Sequence, residues 1–164
     1  MEGPAARSRD EAGRARNDRP RDGYGRPLAR GAAEGVPRVP DDAVFAPDEG
    51  LDRAQELLDT DYPFHAHEVL EAVWKAAEEP ERELWRGLAQ LAVGLTHVRR
   101  GNPAGAATLL RRGAGHLAGY PEPAPHRIDT AGLRARALQL ADRIDREGLS
   151  AFEGRELTLR LRRP

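Results

Sequence analysis

Prolines divide this chain. Pro47 precedes Asp48 and Glu49, Pro63 follows Asp61-Tyr62, Pro80 precedes Glu81 and Glu83, and Pro103 follows Gly101-Asn102. Proline suits a first helical turn because the N–H it lacks would have no intrahelical partner there, and neighbouring acids meet the positive end of the helix dipole. In a helix interior the same ring removes a hydrogen bond and clashes with the preceding turn. Each of these prolines is therefore a boundary. Gly101 adds a stop and Asn102 a cap, while Asp129-Thr130 opens a last helix that Gly148 closes. The punctuation predicts five helices, over 47–59, 62–79, 81–100, 103–119 and 130–147.

Short connections after the first three helices force antiparallel neighbours, so the expected fold is all-α: about five antiparallel helices in a compact up-and-down bundle. Each helix has a legible face. Ala66, Val69, Leu70, Val73 and Ala77 form the core stripe of the second, with His67, Glu71, Trp74 and Glu78 on its shoulder. In the third, Leu84, Leu88, Leu91 and Leu95 oppose Arg86, Gln90, Val93 and His97. Trp85, Ala89, Ala92 and Gly94 fill the space between, so this helix is expected to be central. The fourth is rich in Ala and Gly, which permits close approach.

The flanks read differently. Residues 1–43 scatter Arg, Asp, Gly and Pro without an apolar period and read as a disordered tail before a helical domain over 44–148. In 149–164, Leu157, Leu159 and Leu161 alternate with period two, which predicts an extended tail laid over the bundle. No apolar run approaches the ~18 residues of a membrane span, and no signal-peptide core is present, so the cytoplasm is the expected location. Without cysteine there is no disulfide, no thiolate nucleophile and no Cys-ligated zinc.

A net charge of −1 conceals a segregation: residues 41–85 are strongly acidic, whereas 86–120 hold five arginines and no acid. Some of this is helix-start acids and helix-end arginines. The remainder sets an anionic hairpin against a cationic one. Nucleic acid is not an expected partner, because the balance is near neutral and no aromatic residues interleave with these arginines.

The densest chemistry is His65-Ala66-His67-Glu68-Val69-Leu70-Glu71-Ala72-Val73-Trp74. His67 and Glu71 are four apart, so both side chains reach one point above the helix, where they could share a proton or a divalent metal. His65 lies about 160° away around the helix and cannot join them. The H-E-x-x-H protease motif is excluded because its second histidine is missing. The structural alternative is an ordinary polar contact, with Trp74 a core aromatic and His97 placed by the negative end of its helix.

His67-x-x-x-Glu71-x-x-Trp74, followed by Gly87-Leu88-Ala89-Gln90 and then His97-x-x-x-Gly101-Asn102-Pro103-x-Gly105-Ala106, resembles the bacterial and archaeal domain-of-unknown-function family 309. The resemblance covers about 47–119. It implies a small all-helical domain of no established activity whose H-x-x-x-E-x-x-W signature has been suggested to bind metal. His67 and Glu71 would then be tentative metal ligands or an acid/base pair, and Trp74 a wall. Gln90 and His97 would be partners from the next helix. The long Arg-rich N-terminal extension departs from that pattern. A competing reading is a tetratricopeptide-like helical-hairpin module that binds a protein partner, since small residues recur where the paired helices cross.

Overall fold

In a computed structural model, the described residues are 39–152, 157 and 159–164. The expected tail over 1–43 falls, up to residue 38, outside them. Among the described residues there are five α-helices: α1 (Pro47–Asp59), α2 (Pro63–Ala76), α3 (Glu81–Arg100), α4 (Pro103–Ala118) and α5 (Thr130–Glu147). Short 3-10 turns cover Pro125–Arg127 and Leu149–Phe152.

Pro47, Pro63 and Pro103 occupy first-turn positions, whereas Pro80 stands just outside as the N-cap of α3. Asn102 and Asp129 cap α4 and α5 by accepting from the backbone N–H groups of Gly105 and Gly132. Gly101, at φ 78°, ends α3 in the left-handed region. The second helix is shorter than its predicted 62–79 span because Ala77 turns extended, at ψ 152°. Asp61 does not cap it. This residue takes φ 63° in the turn and accepts from Arg99 Nε at 2.9 Å.

Each helix packs on its sequence neighbours, and α3 lies between α2 and α4. The predicted leucine stripe of α3 is buried, as is Trp85, and Ala66, Val69, Leu70 and Val73 meet it from α2. Glycine sets the α3–α4 spacing. A Cβ at Gly94 would stand 2.8 Å from Leu110 Cγ, and one at Gly113 would stand 2.9 Å from the Gly87 carbonyl oxygen.

The C-terminal segment joins the core through buried Leu157, Leu159 and Leu161. Gln55 of α1 holds it from both sides, donating to the Leu159 carbonyl at 2.8 Å and accepting from the Leu161 N–H at 2.9 Å. Ile128 and Arg162 form an isolated antiparallel bridge beside this clamp.

Candidate functional site

Helix α2 carries the first candidate group because its 3.6-residue period turns Val69, Leu70 and Val73 inward and leaves His67 and Glu71 half-buried at the edge. His67 Nε2 lies 3.1 Å from Glu71 Oε2, and Lys75 Nζ lies 3.4 Å from Glu71 Oε1. The hydrogen bond from His67 is the largest influence on the Glu71 carboxyl. Reinforced by the charges of His67 and Lys75 against the opposing cost of burial, it holds the pKa down at about 2. Phe64 stands over the imidazole, with ring centroids 5.8 Å apart.

These groups line a cleft of about 240 Å³ together with Glu68 and the incoming segment Val39-Pro40-Asp41. The Nδ1 atom of His67 is buried without a hydrogen-bond partner. Gln90, facing outward from the leucine stripe of α3, likewise keeps a buried, unpartnered Oε1.

The other sequence candidates have neighbours of their own. Trp74 is half-buried beneath the Arg82 guanidinium, 5.3 Å from the ring centroid, and its carbonyl accepts from Arg82 Nε at 3.4 Å. Neither Trp74, Gln90 nor His97 lines the His67 cleft. His97 Nδ1 accepts from Asn102 Nδ2 at 3.2 Å, so the residue that caps α4 also fixes this imidazole. Burial pushes the His97 pKa down, and the Arg100 charge adds to that shift.

Among the described residues no group of three or more His, Cys, Asp or Glu could hold a metal ion. His67 and Glu71 supply two donors, and the ammonium of Lys75 occupies the other side of the carboxylate. This donor set falls short of the three or four protein ligands of a zinc site, and the neighbouring ammonium opposes a cation there.

Residues 51–109 match the model of the family described as Domain of unknown function (DUF309). The match falls on the family that the motifs resemble. The uncharacterized protein YpuF of Bacillus subtilis (strain 168) is 48% identical over 48 residues, which make up 29% of this chain and 28% of YpuF. The chain thus spans less than a third of that relative's length. No solved structure matches it. Neither description assigns an activity.

The DUF309 stretch includes the signature helix and the α3–α4 turn, and the structure gives that turn a structural explanation. Gly101 supplies the left-handed residue and Asn102 the cap. Gly105 leaves room for Asn102, since a Cβ there would stand 2.5 Å from Asn102 Nδ2 and 3.1 Å from His97 Cγ. The spacing from His97 to Gly105 is therefore required by one tight corner.

The surroundings of several polar groups are not readable from the sequence. His65 is buried against the edges of Tyr62 and Phe64. His116 of α4 pairs with Glu83, and His126 of the connector pairs with Glu81 at 2.7 Å while lying 5.9 Å from Trp85, ring to ring. The connector 120–126, whose prolines suggest a rigid spacer, also walls a cleft of about 530 Å³. This cleft is larger than the one at His67 and lies apart from the signature residues.

Among the described residues no helix is long and apolar enough to cross a membrane.

Proposed function

We propose that the α2 cleft binds a small polar ligand, with His67 and Glu71 as its hydrogen-bonding and proton-sharing pair. The observation that carries this reading is the 3.1 Å pair standing in a cleft that also contains Lys75. Carboxylate, imidazole and ammonium together present donors and acceptors of both charge signs. A volume of about 240 Å³ limits the occupant to something smaller than the drug-sized ligands that fill ~300–1,000 Å³ pockets. Phe64 supplies one apolar wall. In this reading Trp74, Gln90 and His97 support the helices rather than touch the ligand.

Tag-free full-length protein, released gently into native mass spectrometry, is expected to carry a small organic adduct. The adduct should be lost in both His67→Ala and Glu71→Gln. An adduct-free wild type, or one retained by both folded variants, overturns the reading. Elemental analysis of the same samples separates the metal version. The expectation is less than about 0.1 equivalent of any transition metal, unchanged in His67→Ala. Stoichiometric metal that disappears in that variant would restore the chelate.

The hairpin-array alternative gains no matching observation.

A further inference from the structure

The cleft of about 530 Å³ lies between the start of α3, the end of α4 and the proline connector. Its volume falls in the ~300–1,000 Å³ range of small-molecule sites. Pro80, Pro121, Pro123 and Pro125 form much of its wall, and Tyr120 adds an aromatic surface. Proline fixes its own φ, so this wall is stiff before anything binds.

Gly115 and Gly119 also line the cleft. A Cβ at Gly115 would meet nothing within 4 Å, so close packing does not require glycine there. Its position inside α4 makes it costly, since glycine weakens a helix interior by roughly 0.5–1 kcal/mol relative to alanine. Glycine there leaves its side of the cleft open.

The charged lining is lopsided. Glu79, Glu83 and His116 line the cleft, and no lysine or arginine does. Glu83 is engaged by His116, whereas among the described residues Glu79 has no ion-pair partner.

From these observations we propose that the cleft binds a small organic cation, an amine or guanidine on a short apolar body, with Glu79 at the cationic end and Tyr120 and the prolines around the hydrocarbon. Carboxylates select the charge, and the aromatic face adds cation–π attraction. The α2 cleft has no part in this assignment.

A matched pair of probes tests it: phenethylamine and 3-phenylpropionate share a skeleton and differ in charge. In NMR titrations of the full chain, phenethylamine is expected to shift the amide signals of Gly115, Gly119 and Tyr120 to saturation, and 3-phenylpropionate to leave them unmoved. Glu79→Gln should weaken the amine about tenfold, the size of one charge-assisted contact. Gly115→Leu, which extends into open space, should abolish binding while the protein still unfolds cooperatively. Equal binding of both probes, shifts that centre away from these residues, or full affinity in a folded Gly115→Leu protein would each overturn the assignment.

Discussion

Glu71 shows what a single side chain adds. Its carboxyl is held at about 2 against an ordinary 4.5, chiefly by the His67 hydrogen bond. A carboxyl depressed in the folded state contributes stability at pH values above its unfolded pKa. That contribution is lost as pH falls through the folded value. With a third of the side chain exposed, solvent screening leaves on the order of 1 kcal/mol. Glu71→Gln is therefore expected to lower stability by about 1 kcal/mol at pH 7 in urea unfolding, with the gap to wild type closing between pH 4.5 and about 2. A gap constant across that range would assign the effect to packing. Asn102→Ala should also cost about 1 kcal/mol, because the cap and the His97 contact are lost together. The His67–Glu71 pair was legible because four residues of helix fix the angle between two side chains. The surroundings of His97 were not, because the Asn102 contact depends on how the chain turns after α3.

At the level of the element, glycines in α4 have opposite meanings that their composition conceals. Gly113 lies against α3, where a Cβ would stand 2.7 Å from Leu91 Cδ2 and 2.9 Å from the Gly87 carbonyl oxygen. Two positions along, Gly115 faces open space. Gly113→Ala is expected to destabilise by about 1–3 kcal/mol through overpacking. Gly115→Ala should stabilise by about 0.5–1 kcal/mol through helix propensity. Thermal unfolding of the two variants should therefore shift in opposite directions. A common direction would mean that the α3–α4 contact has been misassigned. Close approach of these helices was legible in the run of small residues. Which glycine serves the contact was not, because that depends on the rotation of α4 about its axis.

Across the whole molecule, arginines of the acid-free stretch pair with acids from two different places, the anionic hairpin and α5. Arg99 crosses to Asp61, and Arg111 reaches Asp142 at 3.0 Å and Asp145 at 2.6 Å. Arg99 is thus tied to the anionic hairpin in a half-buried pair, while the Arg111 pairs stand at the surface. The C-terminal leucines tie α1 to the connector before α5, with Leu161 2% exposed and its N–H held by Gln55. Leu161→Ala should cost about 3 kcal/mol, within the range for a buried leucine, as read from the urea midpoint. A change below about 0.5 kcal/mol would show that the segment is not part of the cooperative unit.

By itself, the sequence determined the helices, most of their boundaries, their buried faces and the approach of His67 to Glu71. All of these depend on residues within about one turn of each other, where backbone geometry leaves little choice. Tertiary structure decided which polar groups meet across the bundle: His116 with Glu83, His126 with Glu81, and Gln55 with the C-terminal strap. It also placed the connector beside the larger cleft and kept Trp74, Gln90 and His97 out of the smaller one. A helical period gives a side chain its angle on its own axis, whereas the partner at that angle is set by the packing and rotation of other helices.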